Sequence, residues 1–534
     1  MTVRGPTLRI VCVNDVYSIE NMPRLATLVR HHATTRAADR FLVTLAGDFV
    51  APSLLSSLDS GRGMVDCMNA VGVTHVILGN HEDDVPTDEL RARIRELHAK
   101  VIGTNVHGFE PPLPAHDIVE IAAPGGRTVR VGIVGVVMND PAVYRRVPFG
   151  ATRIDPPNAA AMDEAARLVQ GDGCACVVPM THQTIDDDRS LARTQRSPPF
   201  PVIIGGHEHV AFLEERAGTW IVKSGSDAAS AVVIDLSFSA EAPADGPDLP
   251  LVTVYLEPVA EYAEDATLRA RVDALMSTVH RLETATLLLL GPGETLSSIG
   301  TRAHQTSLGA LVCSRVRDAL DADACLFNGG GIRAAREYTR HFTFGDLKSE
   351  VPFDNELVVV ALPGRVVRDA VAASRAHAPM ESGGFLQVDD RMTVDDSTHL
   401  VTKIDGAPID LLRIYEVAIV RDFLLGMDHL EPLMRFARDN PDNVPPAGSG
   451  LDVKLVLVNA FARALWDRLG GFDAVDTNRD GIVTASEIAA AVARITEEEP
   501  SSMVGDLVLR AVDVNDDHAV SREEAERDPR RKKH

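Results

Sequence analysis

The sequence predicts a layered α/β protein with a second α/β domain behind it and a small helical module at the C-terminal end. Three observations predict this. Over roughly the first 260 residues, short apolar runs alternate with helix-spaced patterns, the signature of strands stacked between helices. After one helical stretch the same alternation resumes from about Leu287 to Val458. Beyond Trp466 the chain turns strongly acidic and repeats one loop pattern twice.

The strand runs of the first region are "LRIVCVND", "FLVTLAGD", "HVILGNHE", "VRVGIVGVV", "CACVVPMTH" and "PVIIGGHEH", with "WIVKSG" and "AVVIDLSFS" after them. Four of the first six close on Asp or His, and "HVILGNHE" carries Asn80 and His81 just before its final glutamate. Ligands of α/β sheets gather at the carboxyl ends of strands, so these side chains are expected to meet. "SAEAPADGPDLP", residues 239–250, reads as a turn or insertion. From Asp265 to Leu282 the spacing of Leu268, Val272, Leu275, Met276 and Val279 predicts a connecting helix. The expected division is therefore 1–262, a connector over 263–286, 287–465, and 466–534.

A chain of 534 residues is too long for one core. Its formal net charge of −24 repels nucleic acid and anionic membranes and favours cations. No apolar run approaches the roughly 20 residues of a membrane span, and the first residues lack the pattern of a signal peptide. The six cysteines are scattered without zinc-ribbon spacing. Cys174 and Cys176 are two apart in an apolar run and are expected on one strand face as buried thiols. A reducing, cytoplasmic setting is the expectation.

"THVILGNHEDD" runs a buried strand into Gly79, Asn80, His81, Glu82, Asp83 and Asp84. A turn explains the glycine, the asparagine and the aspartates, but not the histidine or the glutamate. The other strand ends add Asp15, Asp48, His182, His207 and His209. Carboxylate, amide and imidazole form a mixed set suited to zinc, manganese or iron. So many donors suggest two metals sharing a carboxylate, an arrangement that clamps a phosphoryl group.

"VNDVY", "AGD", "GNHEDD", "MTH" and "GGHEH" occur in this order over residues 8–236, and in this the sequence resembles the calcineurin-like metallophosphoesterases, within them the 5′-nucleotidase family. The resemblance implies an α-β-β-α layered catalytic domain and hydrolysis by attack of metal-bound hydroxide. It implies one metal on Asp15, Asp48 and His209, and another on Asp48, Asn80, His182 and His207. His81, oriented by Asp84, would then stabilise the transition state or protonate the leaving oxygen. One position departs from the pattern. Tyr17 stands where the family has a histidine, as a spectator or as a phenolate suited to ferric iron, so the first site is weak, different in kind, or absent.

Further on, "GTRAHQTSLGALV", "NGGGIR", "GDLKSEVPFDNELVVVALPG" and "GGFLQV" resemble the C-terminal domain of 5′-nucleotidases across residues 287–435. Triple glycine lets backbone approach a ligand, and Arg333 offers a planar fork for phosphate. By the resemblance, Arg302, Asn328 and Arg333 contact phosphate and sugar, Phe353 stacks on a base, and Asp428 meets the ribose hydroxyls. Leu430 stands at the second stacking position, which costs stacking but keeps apolar contact.

The acidic tail carries "DTNRDGIVTASE" (476–487), which fits an EF-hand loop through Asp476, Asn478, Asp480 and Glu487, with Gly481 at its sixth position. "DVNDDHAVSREE" (513–524) repeats the pattern with Asp513, Asn515, Asp517 and Glu524, but His518 replaces the glycine. A small all-α calcium-binding pair is expected, its second loop weaker. The closing "RRKKH" reads as a solvated basic end. The reading is a metal-dependent phosphoesterase acting on a nucleotide, with calcium as a further ligand. Its rivals are another phosphatase or a cyclic-nucleotide or nucleotide-sugar hydrolase on the same scaffold, and a calcium-binding protein with a decayed site.

Overall fold

The computed structural model describes residues 5–35, 38–144, 148–194, 200–241, 248–353, 355–515 and 517–526, so the basic stretch 530–534 and part of the 239–250 segment lie outside them. The chain divides into two compact units, Met1–Ser277 and Thr278–His534. The helix Ala266–Leu282, close to the expected connector, carries the chain from one to the other.

In the first unit the apolar runs build two six-stranded sheets. One has the order Leu251–Pro258, Ser230–Ser237, Thr7–Val13, Arg40–Ala46, His75–Ile77, Lys100–Ile102. The other runs Ala211–Arg216, Thr219–Ser224, Val202–Gly206, Cys176–His182, Thr128–Val137, His116–Ala122. Within each sheet the central neighbours are parallel and the outermost pairings include antiparallel ones.

The central strands are buried on both faces, which is why they read as near-continuous apolar runs. Successive side chains point to opposite faces. Leu8, Ile10 and Cys12 join Val178, Met180, Val202 and Ile204 in the core between the sheets. Val11, Val13, Val43 and Leu45 instead face the helices Met22–Thr35 and Arg62–Val71 through Leu25, Leu28, Met64 and Met68. Val177, Ile203 and Ile221 face Leu168 and Leu191 on the other side. The result is a helix–sheet–sheet–helix stack. The expectation for the cysteines fails in one detail: the strand begins at Cys176, and Cys174 packs in a different core from it. All six thiols are free and buried.

The second unit centres on a five-stranded sheet in the order Leu386–Val388, Ala324–Asn328, Ile414–Val420, Glu356–Pro363, Leu451–Asp452. Helices Ser307–Ala319, Gly364–Ser374, Glu431–Asp439 and Val453–Asp467 accompany it. The last of these runs through the expected boundary at 465/466, because Phe461, Ala462, Leu465 and Trp466 continue one buried face. Two helix–loop–helix segments follow, with Ile482–Val483 and Val520–Ser521 paired antiparallel between their loops. Among the described residues no helix is long and apolar enough to cross a membrane.

Candidate active site

The strand ends of the first unit bring their polar residues to one place. Asp15, Asp48 and His182 are all buried, and ligand atoms from the three lie within 4.8 Å of one another. Asp48 is the hub. Its Oδ1 accepts the His81 amide at 2.9 Å, and its Oδ2 lies 3.1 Å from His182 Nε2. Asn80 Oδ1 stands 3.1 Å from the same His182 nitrogen. His182 Nδ1 donates to Ala46 O at 2.8 Å, which fixes the ring and aims Nε2 at Asp48 and Asn80. Asp15 Oδ2 accepts the His207 amide at 2.9 Å, and Asp15 Oδ1 lies 3.6 Å from His209 Nε2. The His182 and His207 rings are 5.5 Å apart.

The backbone is strained where these side chains are delivered. Asp15, Asp48 and His207 have φ of +53°, +56° and +83°, a region costly for residues with a Cβ. Such strain persists only where the surroundings enforce it. Glu82, fully buried, enforces it at Asp48. Its carboxylate accepts the amides of Asp48, Phe49 and Val50 at 3.0, 2.7 and 3.0 Å, and that of Gly79 as well. Gly79 must be glycine, since a Cβ there would stand 2.2 Å from Asp48 Oδ1. These bonds account for the glutamate after "GNH".

The electrostatics follow from so many charges out of water. Burial pulls the His81 imidazolium down, but the Asp48 and Asp84 carboxylates outweigh it and hold it up at about 10. Its Nδ1 donates to Asp84 Oδ2 at 2.8 Å. His182 is treated alike: burial opposes its charge, and Asp48 and Asp15 raise it to about 9. Burial likewise opposes ionisation of Asp48, yet His182 and His81 hold its carboxyl below the usual range. His207 goes the other way, pushed down to about 3 by burial and by the neighbouring His182 charge.

These donors fit divalent cations. His207 is neutral, and its buried Nε2 has no hydrogen-bond partner, the condition of an imidazole ligand without its metal. Two carboxylates and the His182 imidazole offer atoms within 4.8 Å of one another. Tyr17 is the unexpected member. Its hydroxyl lies 3.2 Å from Asp15 Oδ1, 3.2 Å from Asp48 Oδ2 and 2.9 Å from His209 Nε2, in the middle of the donors expected for the first metal. Burial and the two carboxylates raise its pKa well above the ordinary phenol value.

Asp227, which the sequence reading passed over, accepts the amides of Tyr17 and Ser18 at 2.9 Å each and so sets this turn. Lys223, in "WIVKSG", was also passed over. A lysine inside a buried strand run was the available signal.

In the second unit, Asn328 Nδ2 donates to Asp428 Oδ2 at 2.6 Å, and Asp428 sits at φ +58° against Gly384. Asn328 Oδ1 is buried without a hydrogen-bond partner. The Arg333 guanidinium lies 5.6 Å from the centre of the Phe353 ring, which is 45% exposed. Arg302 O accepts the Ser382 amide at 2.9 Å, and Gly330 N bonds Gly383 O at 2.8 Å, so these loops share one end of the sheet. Leu430 differs from expectation. It is buried at the start of the helix Glu431–Asp439, so it offers no surface to a base.

The two acidic loops share one internal pattern. Asp476 Oδ2 accepts the Gly481 amide at 3.1 Å, and Asp513 Oδ2 accepts that of His518 at 2.9 Å. Asn478 Oδ1 takes the Asp480 amide at 2.8 Å, and Asn515 Oδ1 that of Asp517 at 2.9 Å. Glu487 and Glu524 reach back to the amides of Asn478 and Asn515. Asp476 Oδ1 is buried and unpartnered. His518 takes φ of +64°, where Gly481 has +88°.

Residues 8–211 match the calcineurin-like phosphoesterase family model, and residues 284–432 match the 5′-nucleotidase C-terminal domain model. The chain thus joins a calcineurin-like phosphoesterase domain to a 5′-nucleotidase C-terminal domain, and it is an enzyme of the hydrolase class. It is 26% identical over 365 residues to endonuclease YhcR of Bacillus subtilis, covering 62% of this chain but only 28% of that protein. It is 24% identical over 449 residues to 5′-nucleotidase of Bos taurus, covering 76% of this chain and 74% of that one. Among solved structures it resembles the NAD nucleotidase of Haemophilus influenzae, at a TM-score of 0.63 and 16% identity over 84% of this chain and 94% of that one.

Proposed function

We propose that the protein is a two-metal phosphoester hydrolase that releases phosphate from a nucleotide. The observation that carries this reading is the buried meeting of Asp15, Asp48 and His182 beside the His81–Asp84 pair. Asp15, Asp48 and His209 would hold one divalent cation, and Asp48, Asn80, His182 and His207 the other. Such a pair supplies Lewis-acid polarisation of the phosphoryl group and lowers the pKa of water.

The chain's own residues do the rest. Water adds to phosphorus in line as the ester P–O bond breaks, and its protons leave on the released phosphate, which then returns one to His81. The leaving sugar oxygen takes the proton that His81 carries, and Asp84 keeps the imidazole turned toward it. Asn328, Arg333, Arg302 and Asp428 bind phosphate and sugar, and Phe353 supplies one stacking face. The buried Leu430 leaves the base with that single aromatic contact. This supports a broad base preference, since stacking is worth ~1–3 kcal/mol per base.

The second reading is a nucleotide with a longer phosphate chain. The likeness to an NAD nucleotidase favours it.

We also propose that the two acidic loops are EF-hands. The unpartnered Asp476 Oδ1 and the matched hydrogen-bond patterns support calcium binding, weaker at the loop where His518 replaces glycine. Turnover of a panel of mononucleotides, dinucleotides and nucleotide sugars with manganese or zinc tests the main reading. Phosphate release that His81→Ala lowers about a hundredfold or more supports it. Equal turnover in both proteins, or none on any phosphoester, defeats it.

A further inference from the structure

Lys223 carries a positive charge in the interior of the first unit, its side chain fully out of solvent. The strand Thr219–Ser224 pairs in parallel with Val202–Gly206, which brings the ammonium beside the backbone that delivers two of the imidazoles. Lys223 Nζ donates to Gln183 O at 2.7 Å, the residue after His182, and to Gly206 O at 2.7 Å, the residue before His207. It also pairs with Asp188 Oδ2 at 2.9 Å and with Glu208.

The carboxylates extend the grip. Asp188 Oδ1 accepts Thr181 Oγ1 at 2.7 Å and Gln183 Nε2 at 3.0 Å, and Glu208 Oε1 accepts the Ile185 amide at 2.6 Å. Residues on both sides of His182 and on both sides of His207 therefore hang on one buried cation. Gly205 makes room for it, since a Cβ there would lie 2.7 Å from Lys223 Cε. His207 keeps a φ of +83° between two of the anchored residues. The next residue along the strand serves a third ligand: Ser224 Oγ and N donate to Asn14 Oδ1 at 2.8 and 2.6 Å, and Asn14 Nδ2 donates to Asp15 Oδ2 at 2.7 Å.

We propose that Lys223 is a positioning residue for the metal centre, holding the backbones of His182 and His207 at coordination spacing through Gln183 O, Gly206 O, Asp188 and Glu208. This rests on the two-metal reading above. Burial pulls the ammonium down, but Asp188 and Glu208 outweigh it and keep it charged. Outer-shell groups that orient ligands are worth about 10- to 100-fold in metal affinity.

The test titrates manganese alone into metal-stripped protein by calorimetry, with melting temperature measured in parallel. Lys223→Met is expected to weaken manganese about 10- to 100-fold. Because it strands two buried carboxylates, it is paired with the triple variant Lys223→Met, Asp188→Asn, Glu208→Gln. Removing the whole charged cluster restores much of the stability, and the affinity should stay low while the melting temperature recovers. Wild-type affinity in Lys223→Met overturns the proposal, as does affinity that returns with stability in the triple variant. Asp48→Asn separates this from the reading beneath it. Manganese binding indifferent to Asp48 removes the metal centre and the role of Lys223 together. Binding that needs Asp48 but not Lys223 removes only the latter.

Discussion

The Tyr17 hydroxyl and His209 Nε2 stand 2.9 Å apart, and the same hydroxyl reaches both Asp15 and Asp48 at 3.2 Å. One neutral oxygen thus sits among all three donors expected for the first cation. A protonated phenol is a poor ligand for zinc or manganese, and burial beside two carboxylates favours the protonated form.

Replacing the phenol by an imidazole should complete the first site. Tyr17→His is expected to tighten binding of zinc or manganese at the first site and to raise turnover. Elemental analysis of dialysed protein reads the stoichiometry. A wild type already holding two equivalents, with a phenolate-to-iron absorption band that the variant loses, would show instead that Tyr17 is a ferric ligand. An uncoloured wild type that gains nothing from the histidine counts against both roles.

The second site has few spare ligands, so each one matters. His182→Ala and Asn80→Ala should each lose the cation bound there and nearly all turnover, because each removes a donor beside Asp48. Metal content and phosphate release check this together. Full occupancy in both variants sinks the ligand assignment.

Glu82 answers four backbone amides from inside the fold. Glu82→Gln turns an NH₂ toward donors and leaves some of them unmatched, which should cost about 3 kcal/mol. Denaturant unfolding of metal-stripped protein gives the value. A loss under about 1 kcal/mol would mean that the loop carrying Asp48 finds other acceptors.

His81, held charged by Asp48 and then by its partner Asp84, makes stability depend on pH in a set direction. The folded imidazole titrates at about 10, above its ordinary 6.5. Its contribution is therefore complete below about pH 6.5 and is lost as pH rises through about 10. In metal-stripped protein, Asp84→Asn should flatten the fall in melting temperature over that window. Parallel curves for wild type and variant would refute the pairing.

Much of this site was legible because strand-end chemistry is local. Asp15, Asp48, Asn80, His182, His207 and His209 each close or follow an apolar run, and parallel strands deliver such residues to one edge. Lys223 stood out as a lysine in a buried run, but the roles of Lys223 and Asp227 were not legible, since they depend on which strands become neighbours. Thr219–Ser224 lies beside Val202–Gly206 only through the sheet order. Leu430 misled because the motif marks a position in the chain, whereas helix packing decides which way the side chain faces. The helix crosses the expected break at 465/466 by two residues for a related reason. Composition changes there, but the apolar face of Val453–Asp467 does not.

The acidic loops give the last prediction. Carboxylates crowded in one loop repel each other until a cation neutralises them, so calcium should bind and stabilise. The first loop should bind more tightly, having glycine at the turn where the second has His518. The stabilisation should reach beyond the loops. Arg468 Nη1 donates to Leu289 O at 2.6 Å, Arg340 pairs with Glu497 at 2.8 Å, and Thr286 bonds Glu498. These contacts tie the module to the strand Thr286–Leu289, which starts just past the helix Ala266–Leu282. At a hundredfold excess over its Kd, calcium should add about 2.7 kcal/mol to this unit. Glu487→Gln should abolish the tighter of two calorimetric binding steps and most of that gain. Turnover measured in the same titration decides whether the module also regulates. A calcium-dependent change in wild type that Glu487→Gln lacks is the expected result. Flat turnover in both, with calcium bound and the unit stabilised, leaves the loops a structural role only.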